Sequence, residues 1–144
     1  MTKAQKELEE AATDLLLAMG QIVRKLRLES ASHELTWTQV AVMARLDRGG
    51  PATTADLARA EAIKPQSMGA TLAYLQEQGV VERRPHPTDG RQFVFSLTEA
   101  GHRIREKASA DKRAWLMKAM AELSPEERQA LLAAIGPMRR LVRP

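Results

Sequence analysis

The chain of 144 residues contains no cysteine. Disulfides, thiolate-bound zinc and redox sensing through a thiol are therefore excluded. No apolar run reaches the roughly 18 residues that a membrane-spanning helix needs. The first stretch, MTKAQKELEEAATDLL, is amphipathic and lacks the apolar segment of a secretory signal. A cytoplasmic protein without a membrane partner is the expectation. There are only three histidines, and no nucleophile elbow or P-loop. No catalytic constellation follows, so neither an enzyme nor a cofactor is expected. Glu29 and His33 have the i, i+4 spacing of a metal chelate, but such pairs arise by chance very often, and no metal site is assigned. Charge of one sign is also scarce. The 22 Lys and Arg against 18 Asp and Glu leave a formal net charge of +4. That permits a nucleic-acid partner without establishing one.

The length suits a single domain, residues 1–144, with a real core. Its most legible part is 53–97. Thr53-Thr54-Ala55-Asp56 has capping-box spacing and opens a short helix with a small-residue face. Ile63-Lys64 makes a turn, and Ile63 should plug the joint. Pro65 suits the first position of a second helix, where a missing N–H costs nothing. Met68, Leu72 and Leu75 form its buried face, and Gly79 suits the C-terminal cap. Two strands follow: Val80 to Arg84, ended by Pro85, and Phe93, Phe95 and Leu97 alternating with Gln92, Val94 and Ser96. Asp89-Gly90 is a turn dipeptide at the tip, with Arg91 directly after it. Helix, turn, helix and basic hairpin is the plan of a winged helix-turn-helix, which places one helix in the DNA major groove.

Leu57-Ala58, the helix Pro65 to Leu75, Leu75-x-x-x-Gly79-Val80-Val81-x-Arg83, Asp89-x-Arg91 and Leu97-Thr98-x-x-Gly101 together resemble the MarR family of bacterial transcriptional regulators. The resemblance spans nearly the whole chain. It implies a mainly α fold with a small β-hairpin wing. The DNA-binding lobe would be residues 36–98, flanked by dimerisation helices at 5–32 and 99–142. The partners it implies are double-stranded DNA, a second copy of the chain and, in many members, a small aromatic effector. The implied function is that of a homodimeric regulator, a repressor first and otherwise an activator, on an inverted-repeat operator, often released from DNA by such an effector. The competing reading is a winged-helix interaction module without specific DNA binding; the basic wing argues against it.

The flanking patterns agree. Leu8, Ala12, Leu15, Met19, Ile22 and Leu26 form a stripe between Lys6 and Ser30, widened by Leu16 and Val23. A stripe this wide exceeds what one packed neighbour needs, so part of it should meet a second subunit. Thr36-Trp37-Thr38-Gln39 caps a helix through Arg48, with Val40, Met43 and Leu46 buried. A long helix runs from Thr98 to about Glu122. Ser124-Pro125-Glu126-Glu127 starts the last one. Gly136-Pro137 should kink or break it near Ala133 to Pro137.

Gln66 and Ser67 point away from the buried face and can meet base edges; ordinary solvated residues are the alternative. Gly69 and Ala70 can admit close backbone approach or thymine methyls. No arginine on this helix front can grip guanine, so direct readout is modest and DNA shape contributes. Arg91 suits a narrow minor groove. The family's Asp-x-Arg pair carries over to Asp89 and Arg91, with Asp89 able to pair with Arg91 and fix its direction. Arg83, Arg84 and His86 are candidate phosphate contacts, although the Arg84 stem can equally cover apolar surface. Thr53, Thr54 and Pro65 lie at helix starts that can approach phosphates. In relatives the effector cleft lies between the dimer body and the DNA-reading lobe. His33 and Trp37 border its counterpart; the alternative is a core or hinge Trp37 and a solvated His33.

Overall fold

The structure is a computed structural model and describes residues 1–143, so only Pro144 of the expected 1–144 domain lies outside it. Among the described residues six helices and three strands follow one another: α1 Lys3–Leu28, α2 Trp37–Gly49, β1 Ala52–Thr53, α3 Thr54–Ala60, α4 Pro65–Glu77, β2 Val81–Pro85, β3 Phe93–Leu97, α5 Glu99–Ala121 and α6 Pro125–Leu141. Helix starts follow hydroxyl caps. Thr2, Thr36 and Ser124 each accept a backbone N–H while Gln5, Gln39 and Glu127 reach back to the cap residue. The capping box at Thr2 carries α1 three residues further toward the N-terminus than its apolar stripe indicates.

The core belongs to the central lobe. Val42, Met43 and Leu46 of α2, Leu57 and Ala58 of α3, and Met68, Leu72 and Leu75 of α4 pack against Val80, Val81, Phe95 and Leu97. Each fully buried Leu or Met side chain contributes about 1.5–3 kcal/mol by leaving water. Ile63 and Ile104 seal the edge of this cluster. On α2, Met43 and Leu46 are buried as expected, with Val42 and Ala44 beside them, whereas Val40 is only half-buried.

The sheet has the order β1-β3-β2, antiparallel throughout. β1 pairs Ala52 with Phe95 and Thr53 with Val94. It was not anticipated, because two residues are too few to show a period. It ties the entrance of α3 to the second strand of the hairpin.

The expected break in α6 does not occur: the helix continues through Pro137 to Leu141. Proline inside a helix removes one i→i−4 bond. Here the residue before it is Gly136, which has no Cβ to collide with the proline ring, so part of the usual obstruction is absent. Neither α1 nor α6 contains a buried residue. Leu8, Leu15, Leu16, Ile22 and Val23 of α1, and Leu131, Leu132, Ile135 and Met138 of α6, stand exposed in the single chain.

Candidate nucleic-acid interface

The helix-turn-helix is built from α3 and α4. Thr53 caps α3 by accepting the Asp56 N–H at 3.1 Å. Separately, hydrogen bonding of the Asp56 carboxyl to the side chain and backbone of Thr53, with Arg59 nearby, holds that carboxyl below the usual carboxylate range. The helix ends in a Schellman turn: Ile63 N–H donates to Ala58 O at 3.0 Å and Ala62 N–H to Arg59 O at 3.3 Å. Ala62 occupies the left-handed position, at φ 53°, and Ile63 drops against the core. Pro65 then opens α4 at its first position. Met68, Leu72 and Leu75 are fully buried, which turns Pro65, Gln66, Ser67 and Ala70 to the solvent; Gly69 is half-buried. The exposed face offers an amide, a hydroxyl and small residues. Lys64, exposed at the N-cap, is a cation the sequence reading passed over. Its position directly before Pro65 was the available signal.

The wing is β2 and β3 with the loop between them. Arg83 lies opposite Phe95, and its guanidinium stacks 4.1 Å from the centre of the Phe93 ring. Phe93 is thus exposed on the wing beyond the core, and it holds an arginine in place. Arg84 turns to Glu82 at 3.4 Å on the other face. At the tip, Gln92 N–H donates to Asp89 O at 3.1 Å and closes the turn. Asp89 fixes Arg91 through the backbone rather than the guanidinium. Its Oδ1 accepts the Arg91 N–H at 3.1 Å, and its Oδ2 accepts from Gln92 Nε2 at 3.0 Å. These bonds, the Arg91 N–H first, lower the Asp89 carboxyl below its ordinary range. The Arg91 residue is exposed and, among the described residues, enters no ion pair. His86 turns its Nδ1 inward to the loop backbone.

The wing and the start of α4 meet. Thr53, Thr54, Ala55, Pro65, Arg91 and Phe93 line one groove. Thr53 is buried there with its hydroxyl committed to the cap, whereas Thr54 is half-buried. Behind α4, Gly79 at φ 74° forms a second Schellman turn, with Val80 N–H on Leu75 O at 3.1 Å. Thr98 locks this turn to the start of α5. Its hydroxyl donates to Gly79 O at 2.7 Å and accepts the Gly101 N–H at 3.1 Å, and its own N–H donates to Val80 O at 3.1 Å. A Cβ on Gly101 would lie 2.2 Å from Val80 O.

A second recess of about 230 Å³ lies between α1, α2 and α5. Val23, Leu26, Trp37 and Val40 give it apolar walls, and Arg27 and Lys112 give it positive charge. The Arg27 guanidinium stacks 4.5 Å from the Trp37 ring centre and donates to Leu35 O, while its Nη1 is buried without a partner. Burial, and secondarily the Arg105 charge, push the Lys112 ammonium below its ordinary value. Trp37 is 59 % exposed, so it is a wall of the recess and not a core residue. His33 does not line the recess; its Nδ1 lies 3.1 Å from Ser30 O. Of the two residues named from the sequence, Trp37 lines this recess and His33 does not, and Arg27 and Lys112, not named there, line it too. Their cationic character was visible, but their convergence from two distant helices was not.

Comparison with known proteins gives one consistent result. Residues 33–92 match the model of the MarR family. An uncharacterised HTH-type transcriptional regulator of Mycobacterium bovis is 35% identical over 91% of this chain and 92% of its own length. The crystal structure of a transcriptional regulator protein from Pseudomonas aeruginosa is 30% identical, covers 99% of both chains and superposes with a TM-score of 0.84. A mutant of MepR from S. aureus, bound to an oligodeoxyribonucleotide, shares the fold at 17% identity, with a TM-score of 0.72 over 92% of this chain and 98% of its own.

Proposed function

Since the chain belongs to the MarR family of DNA-binding transcriptional regulators, we propose that it acts as a homodimeric repressor on an inverted-repeat site in double-stranded DNA. The observation that carries this reading is the shared groove of Thr54, Pro65 and Arg91. A groove common to the recognition helix and the wing lets both engage one stretch of duplex. Gln66 and Ser67 enter the major groove, and Gly69 and Ala70 allow close approach. Arg91 enters the adjacent minor groove, where negative potential is concentrated. Arg83, braced on Phe93, and Arg84 contact phosphates.

The uncovered apolar faces of α1 and α6 support the second copy. A two-fold pair holds two recognition helices for successive major grooves, about 34 Å apart, and its symmetry matches an inverted repeat. Repression needs only occupancy of the site, with no further contact to the transcription machinery. The recess at Arg27, Trp37 and Lys112 fits an aromatic anion: an orphaned guanidinium nitrogen and a partly buried ammonium meet apolar walls. Because the recess joins the dimer body to the DNA-reading lobe, an occupant would alter the angle between them.

The test is an anisotropy titration on a duplex selected from random sequence. Arg91→Ala should weaken binding to all duplexes and lower the slope of log affinity against log salt by about one. Affinity unchanged at low and moderate salt would remove Arg91 from the interface.

A further inference from the structure

The wing tip is closed by a ring nitrogen. His86 Nδ1 lies 3.2 Å from the Thr88 nitrogen and 3.0 Å from the Asp89 nitrogen, and it accepts from both. The Thr88 hydroxyl is 3.4 Å from the same atom. Neither amide has a backbone acceptor among the described residues. Pro87, between them and the ring, has no N–H to offer. The imidazole thus occupies the place that an aspartate or asparagine oxygen takes in an Asx turn. Two N–H donors demand a lone pair, so Nδ1 is unprotonated and the ring proton resides on Nε2. Rotating the ring by half a turn would face both amides with a C–H.

We propose that His86 is a positioning residue of the wing: its unprotonated Nδ1 holds the turn that presents Arg91 to DNA, and protonation there releases the turn. The proposal rests on the reading of Arg91 as a groove contact. The path from ring to arginine is short. Asp89 N–H binds the ring, and the Asp89 carboxylate binds Arg91 N–H and the Gln92 amide. His86 N–H also donates to Gln92 O at 3.0 Å, so both sides of the loop converge on this residue. A proton on Nδ1 would aim one donor at two others. The charged groups of the hairpin are Glu82 and Asp89, negative, and Arg83, Arg84 and Arg91, positive. Among the described residues no other element forms an ion pair with the ring.

Histidine gains its proton within the physiological range. DNA affinity should therefore fall on acidification through that range. The opposite sign follows if the ring is a phosphate contact, because an imidazolium adds positive charge at the backbone. The experiment compares the full chain with His86→Ala and His86→Asn by anisotropy, from roughly pH 5.5 to 8. His33 and His102 are present in all three proteins, so differences between them belong to His86. His86→Ala should lose affinity about fivefold at neutral pH, the equivalent of one net hydrogen bond. His86→Asn, with an uncharged acceptor in the Asx position, should restore most of that loss and lack the acid-side decline of the parent.

Nitrogen NMR of the imidazoles supplies a readout independent of DNA. His86 should be the Nε2–H tautomer at neutral pH, and the Thr88 and Asp89 amides should shift with the midpoint of the ring. An Nδ1–H tautomer, an affinity that rises on acidification through His86, or full affinity in His86→Ala would each overturn the proposal. Unchanged affinity of Arg91→Ala, with the tautomer and coupled amides as expected, would instead overturn the reading of the wing on which it rests.

Discussion

Ala62 and Gly79 end α3 and α4 in the same Schellman geometry, with φ of 53° and 74°. Glycine adopts that conformation freely, whereas an L residue with a Cβ incurs roughly 1–2 kcal/mol. Glycine gives back part of the gain through greater freedom in the unfolded chain. Ala62→Gly should therefore stabilise the protein by about 0.5–1 kcal/mol. The denaturant midpoint should rise with no change in slope, and a midpoint that stays put would show that the alanine is not strained. Gly79 could be read from the sequence as a cap because its type announces the conformation. Ala62 could not, since nothing in an alanine signals a positive φ. The tip carries a similar lesson. Asp89 and Arg91 were legible as a pair, but their link is a carboxylate accepting a backbone N–H, which a sequence does not display. Because the folded Asp89 carboxyl is depressed, its contribution is complete above the ordinary carboxylate range and lost as pH falls below it.

At the scale of elements, the joint between α4 and α5 leaves no room for a side chain at Gly101. Gly101 admits Val80 O where a side chain would collide with it, and the obstacle is backbone, which cannot rotate aside. Gly101→Ala should cost about 2 kcal/mol or more, by the mechanism of overpacking. Thermal unfolding is the measurement, and a melting temperature within a degree of the parent would contradict the assigned contact. DNA affinity should fall with it, because Thr98 and Gly101 set the far end of the recognition helix. Helices were legible where caps and period coincide, as at Thr36 and Ser124. β1 was not, and α6 was misjudged at Pro137 because the relief supplied by a preceding glycine was not weighed.

At the scale of the molecule, α1 and α6 are helices without a core of their own. Their exposed leucines and isoleucines need a partner surface. Leu132→Glu combined with Ile135→Glu should convert the proposed dimer to a monomer in sedimentation experiments. Binding to a two-half-site duplex should fall by about a hundredfold or more, because the linkage between two reading heads is lost. A double variant that sediments as a dimer would place the interface elsewhere. The width of the α1 stripe was visible in the sequence. Which neighbour covers it depends on contacts far apart in the chain, and no local pattern encodes them.

The exposed faces of α1 and α6 carry a consequence for dosage. Below the dissociation constant of the proposed dimer, the amount of dimer varies with the square of the subunit concentration. Occupancy of an operator then responds more steeply than in proportion to synthesis. The melting temperature would likewise climb with protein concentration, since association draws the equilibrium toward the folded form. A cell that halves its supply of this chain would lose up to three quarters of the proposed dimer.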